Sequence, residues 1–131
     1  MKYLKVIAFT HKQIDLKDLG KFVICNESLE SSLESVRRKF DIPEIFYIGT
    51  CNRVEFVFTA DQNLSNEFVR EFIQALNLPV SDEQVQAFAD QVSIYEDIEA
   101  LNHLLRISCS AAHLYLYFRT IPSSAKSKKL R

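Results

Sequence analysis

Apolar and polar positions alternate from Tyr3 to Thr10 around a continuous apolar run, the period-two pattern of a strand. His11 to Gly20 is mostly polar and predicts a connection with one helical turn. Ser28 is a candidate cap for a helix whose apolar positions Leu29, Leu33, Val36 and Phe40 share one face, ending at Pro43. Two short strands follow, Ile45 to Ile48 and Val54 to Thr59, joined by Gly49-Thr50-Cys51-Asn52-Arg53. Ser65 then caps a helix with Phe68, Val69, Phe72, Ile73 and Leu76 on one face, stopped at Asn77 and Pro79. Ser81 with Gln84 forms a capping-box start for a short helix carrying Val85 and Phe88. Val92 to Tyr95 predicts a strand, and Asp97 caps a last helix through Ile98, Leu101, Leu104 and Leu105.

Without the short helices, the order is strand, helix, strand, strand, helix, strand, which is the split βαβ order. The predicted fold class is therefore α+β, a ferredoxin-like sandwich with an antiparallel sheet and helices on one face. No internal repeat of fixed period interrupts this reading.

Composition narrows what such a domain does. The 131 residues fit one domain, and 47% hydrophobic with 25% charged residues describes a globular chain. Sixteen Lys and Arg against seventeen Asp and Glu leave a charge of −1, so no global basic field marks a nucleic-acid binder. Gly20 and Gly49 are the only glycines, which excludes both G-x-G-x-x-G and a P-loop. Cys25, Cys51 and Cys109 form no C-x-x-C pair, against a disulfide scaffold or a zinc knuckle and in favour of a reducing compartment. Charges interrupt the N-terminus too early for a signal-peptide core, and no run approaches the roughly 20 apolar residues of a membrane span. A soluble, cytoplasmic domain without membrane or metal is expected.

The end of the chain departs from its body. Glu99 is the last acidic residue, and the final 32 residues hold none. Ala111 to Phe118 is apolar and aromatic, while Pro122 to Arg131 is a Ser/Lys tail expected to be disordered. Without the four cations of that tail, residues 1–119 carry twelve positive and seventeen negative charges, a net −5.

Thr50-Cys51-Asn52-Arg53 is the most suggestive segment for chemistry. A cysteine at a strand-to-strand turn beside an arginine is a candidate thiolate nucleophile for acyl transfer; the alternative is a small half-buried hairpin residue. His11 ends the first strand, within reach of that turn in a split βαβ fold, and His103 lies on the last helix between Leu101 and Leu104. Each is a candidate general acid or base, or else a solvated or capped histidine. Cys25 follows Phe22-Val23-Ile24 and reads as core, and Cys109 has no basic neighbour. Arg37-Arg38-Lys39 can touch phosphate, but at a helix end such a run also suits the macrodipole. Tyr115, Tyr117 and Phe118 can stack on bases or pack.

The run Thr50-Cys51-Asn52-Arg53-Val54-Glu55 resembles the T-C-N-R-T-E signature of glutamyl-tRNA reductases. Thr10-His11-Lys12 with Leu16 and the Leu19-to-Phe22 stretch resembles that family's N-H-K-T-x-P-x-x-x-R-E opening, and His103-Leu104-Leu105-Arg106-Ile107 its H-L-F-R-V segment. The resemblance implies that Cys51 attacks the ester of glutamyl-tRNA, releases the tRNA and holds glutamate as a thioester. NADPH then reduces the thioester to glutamate-1-semialdehyde in tetrapyrrole synthesis. It implies that Arg53 anchors the substrate glutamate by a guanidinium–carboxylate match, that Thr50 is a neighbouring substrate contact, and that His103 assists proton transfer. For the whole family it implies a homodimer that hands its product to glutamate-1-semialdehyde aminomutase.

The departures shape the expectation. After its H-L-x-R-V segment the family continues with roughly A-S-G-L-D-S-x-V-x-G-E, where this chain has Ser108 to Phe118. The substrate serine falls on His113, and Val54 and Gly49 stand where a threonine and a serine are usual. Residues 1–107 are accordingly expected to be the catalytic-like N-terminal domain, cut short before the NADPH and dimerisation domains. Residues 108–131 are expected to be an atypical, partly disordered tail of the kind that a frameshift or a cloning junction leaves. Such a fragment should bind no NADPH and should at most form or hydrolyse the thioester. A non-catalytic ferredoxin-like binding module is the alternative. A small RNA-binding domain is a weaker one, because Glu55 is the sole charge on the central strands.

Overall fold

The computed structural model describes residues 4–24, 26–50, 52–110 and 117–120. β1 (Leu4–Thr10) leads through a short helix, α1 (Leu16–Leu19), and a 3-10 turn (Gly20–Phe22) into α2 (Asn26–Phe40). β2 (Ile45–Gly49) and β3 (Arg53–Thr59) form a hairpin, followed by α3 (Asn66–Ala75), α4 (Asp82–Gln91), β4 (Ser93–Glu96), α5 (Ile98–Ser110) and β5 (Tyr117–Thr120). The sheet order is β4-β1-β3-β2-β5 with every pair antiparallel. Its first four strands are in the order that two interleaved βαβ units produce. The ferredoxin-like expectation holds, with β5 added along the outer edge of β2.

Local chemistry ends the helices where the sequence indicates. Ser65 accepts the Phe68 amide, and Ser81 and Gln84 exchange both bonds of a capping box. Beyond α2, Asp41 takes φ 55° and the Ile42 amide returns to the Arg37 carbonyl at 2.9 Å, a left-handed stop that frees Pro43 to follow. α2 begins at Asn26, so Ser28 sits inside its first turn and is not its cap.

The two faces of the sheet differ. Ile7, Phe9, Val54, Phe56 and Phe58 meet the buried stripes of α2, α3 and α4 in the main core. Phe58, Phe68 and Phe72 stack within it, and Phe9 lies on Phe22 with ring centres 4.2 Å apart. Val6, Ala8 and Val57 point to the opposite face and pack against Ala100 of α5. The expected arrangement, helices on one face, is met by the crossover helices and corrected for α5, which covers the other face. The stripe that α5 buries is also not the expected leucine row. Ala100, His103 and Ile107 are buried, whereas Ile98 and Leu105 are more than half exposed. The helix is rotated so that His103 meets a charged group on the sheet.

Segment 108–131 divides. Its first three residues complete α5 and residues 117–120 form β5, whereas residues 111–116, Ile121 and the Ser/Lys tail from Pro122 to Arg131 lie outside the described residues.

Candidate active site

The turn from β2 to β3 is organised by Thr50. Its amide donates to the Arg53 carbonyl at 2.9 Å. Its hydroxyl oxygen accepts the amides of Asn52 and Arg53, each at 3.2 Å. A threonine hydroxyl can serve both donors because it carries two lone pairs. Cys51 lies outside the described residues, as does Cys25. The two residues that follow Cys51 in sequence are thus tied to the buried Thr50 side chain. His11 closes the turn from the end of β1, its amide donating to the Asn52 carbonyl at 2.9 Å. The expected proximity of His11 to this turn is met by its backbone and also by its ring, whose Nδ1 lies 3.4 Å from the same carbonyl, with the residue exposed.

Arg53 opens β3, and the alternation of the strand places Arg53 and Glu55 on the face covered by α5. The Arg53 Nη1 lies 2.6 Å from Glu55 Oε2. Glu55 Oε1 lies 2.8 Å from His103 Nε2, within hydrogen-bond distance, with Glu55 fully buried and His103 nearly so. Tyr95 of β4 lies flat on the imidazole, ring centres 4.0 Å apart and planes inclined by 12°. The sequence reading singled out Arg53 and His103, and the fold joins them through Glu55. It missed Glu55 and Tyr95 as members of the cluster. The available signal was Glu55 itself, a carboxylate inside the run Val54-Glu55-Phe56-Val57-Phe58.

Gly49 sits beneath the turn because nothing larger fits. A Cβ there would stand 2.8 Å from the Tyr47 hydroxyl oxygen and 3.1 Å from its ring. That hydroxyl is fixed by accepting the Ile24 amide and donating to the Phe22 carbonyl, both at 3.1 Å. The loop after α1 is thereby anchored to β2, the strand that leads into Thr50.

A cavity of about 740 Å³ lined by Leu4, Phe40, Thr59 and Asp61 lies at the other end of the sheet. Leu4 pairs with Thr59 there and Thr10 with Arg53 at the turn. Six strand residues, about 20 Å, separate the two ends, so this cavity is not part of the cluster. Among the described residues no group of three His, Cys, Asp or Glu is placed to hold a metal, and no helix is long and apolar enough to cross a membrane. Neither glycine makes a phosphate cradle, since Gly20 begins the 3-10 turn and Gly49 rests on Tyr47.

The family model described as glutamyl-tRNAGlu reductase, N-terminal domain, matches residues 7–114. The glutamyl-tRNA reductase of Thermodesulfovibrio yellowstonii is 30% identical over 112 residues, 82% of this chain and 26% of the relative. That of Campylobacter lari is 32% identical over 112 residues, 84% of this chain and 25% of the relative. The solved glutamyl-tRNA reductase from Methanopyrus kandleri shares the fold, with a TM-score of 0.55 at 18% identity over 82% of this chain and 22% of that one. The chain spans about a quarter of the length of the curated relatives it matches. A T-C-N-R turn backed by a buried carboxylate and a histidine, on a ferredoxin-like sheet, coincides with a family match over most of the chain: it belongs to the glutamyl-tRNA reductase N-terminal domain family.

Proposed function

We propose that this domain performs the cysteine half-reaction of glutamyl-tRNA reduction in tetrapyrrole synthesis. The Cys51 thiolate attacks the ester carbonyl of glutamyl-tRNA, and the carbon–oxygen bond to the terminal ribose breaks. The ribose oxygen takes up a proton, and glutamate stays on Sγ as a thioester. Arg53 anchors a substrate carboxylate with the guanidinium donors that Glu55 leaves free. Thr50 contributes to substrate binding by holding the turn in shape, and His103 moves the proton. The observation that carries this reading is the continuous chain from Arg53 through Glu55 to His103 at the foot of the Thr50–Arg53 turn.

In the family NADPH supplies the hydride that turns such a thioester into an aldehyde. The residues of this chain do not fit a dinucleotide, for its two glycines cannot write the phosphate-binding fingerprint. The proposal therefore stops at the thioester. Glutamyl-tRNA as substrate, a cytoplasmic setting, a homodimeric whole protein and transfer of product to an aminomutase belong to the same proposal.

The test mixes the purified chain with tRNA charged with radiolabelled glutamate, without NADPH, and quenches in acid. Label that stays on the wild-type protein and is absent from Cys51→Ser is the expected result. A folded wild type that acquires no label overturns the proposal and favours a non-catalytic binding module.

A further inference from the structure

We infer that Glu55 is the positioning residue of this site: its one buried carboxylate holds Arg53 through one oxygen and, through the other, keeps His103 protonated on Nε2, leaving Nδ1 as the nitrogen that exchanges protons. The roles of Arg53 and His103 rest on the function proposed above; the positioning by Glu55 rests on geometry alone.

Position 55 is an apolar environment. It pairs across β1 with Ala8 and across β2 with Ile48, and its face also holds Val57 and Ala100. Burying a carboxylate in such a place is costly unless its oxygens are paired. An apolar side chain satisfies the same packing, as Val57 does two residues on. Packing therefore does not explain a carboxylate here, and its two partners do.

The oxygens are used separately, Oε2 toward Arg53 at 2.6 Å and Oε1 toward His103 at 2.8 Å. Held at 2.6 Å by the Arg53 guanidinium, which only donates, the carboxylate serves as the acceptor, and this geometry assigns the donor role to His103 Nε2. That bond selects the tautomer, just as a carboxylate selects the tautomer of a catalytic imidazole elsewhere. Tyr95, stacked on the ring, fixes the plane of the imidazole in line with the carboxylate. The anchor for an incoming carboxylate and the proton carrier are thus set by a single side chain. A displacement of Glu55 misplaces both.

The test is a long-range 1H–15N spectrum of the histidine side chains and a one-bond 1H–15N spectrum of the arginine guanidinium groups in the full chain, with His103→Gln and Arg53→Lys to assign the signals. In the wild type His103 is expected to show one tautomer with the proton on Nε2. In Glu55→Gln the single carboxamide oxygen cannot serve both partners, so the uniform His103 tautomer or the ordered Arg53 guanidinium signal is lost. Thioester labelling then slows by about 100-fold. A wild-type His103 protonated on Nδ1 overturns the inference, as do unchanged His103 and Arg53 signals in Glu55→Gln. The wild-type spectrum decides even where the variant does not fold. Because the spectra use no tRNA, failure to label with a correct tautomer removes the proposed function and leaves the positioning by Glu55 standing.

Discussion

Glu55 and His103, 48 residues apart in sequence, meet at 2.8 Å in the layer between the sheet and α5. Replacing His103 by Leu leaves Oε1 of a fully buried carboxylate without that donor. The expected cost is about 1–3 kcal/mol in unfolding free energy, read by urea denaturation. His103→Gln, which retains an N–H at similar reach, should recover part of the loss. Equal losses in the two variants would count against the hydrogen bond as the cause.

Gly49 and Tyr47 form a second coupled pair. Gly49→Ala puts a methyl group 2.8 Å from the Tyr47 hydroxyl oxygen, and should destabilise by about 1–3 kcal/mol through overpacking. Tyr47→Phe alone leaves the Ile24 amide without its acceptor. The double variant should lose less than the sum of the two single losses, since removing the hydroxyl makes room for the methyl. Strict additivity in a double-mutant cycle would show that the ring yields without cost.

Thr50→Val keeps the shape of the side chain and removes the oxygen that receives the amides of Asn52 and Arg53. We expect a loss of about 1 kcal/mol in stability and a slowing of thioester labelling by about 10- to 100-fold, as the reacting groups lose their alignment. Thr50→Ser retains the oxygen and should label near the wild-type rate. A serine variant as slow as the valine variant would assign the effect to the lost methyl group.

β5 covers the outer edge of β2 from Phe46 to Gly49. Ending the chain at Ser110 uncovers that edge, and an exposed row of unpaired amides and carbonyls invites pairing with a second molecule. The shortened chain should self-associate with rising concentration in sedimentation velocity, whereas the 131-residue chain should do so far less. Identical profiles would mean that β5 is dispensable for protecting β2.

Much of the architecture was legible in advance because it rests on local chemistry. The caps at Ser65 and Ser81, the apolar face of α3 and the alternation in β1 and β3 are short-range patterns. Their order in sequence suffices to indicate a split βαβ sheet. The rotation of α5 differs from the one its leucines predict for a physical reason. Its leucines advertise an apolar face, yet a buried carboxylate on the sheet needs a donor, and His103 provides one. Periodicity ranks residues by hydrophobicity and cannot see an electrostatic partner on another element.

By itself the sequence determined the elements, their order and the residues of the Thr50–Arg53 turn, since capping, alternation and turn chemistry act over a few residues. It also carried the motifs on which the family likeness rests. Only the tertiary structure decided that α5 crosses the opposite face, that β5 lies along β2, and that Arg53, Glu55, His103 and Tyr95 stand together. Those contacts join strands and a helix far apart in the chain. They depend on pairing register and on the pairing that a buried charge requires, neither of which any short window of residues contains.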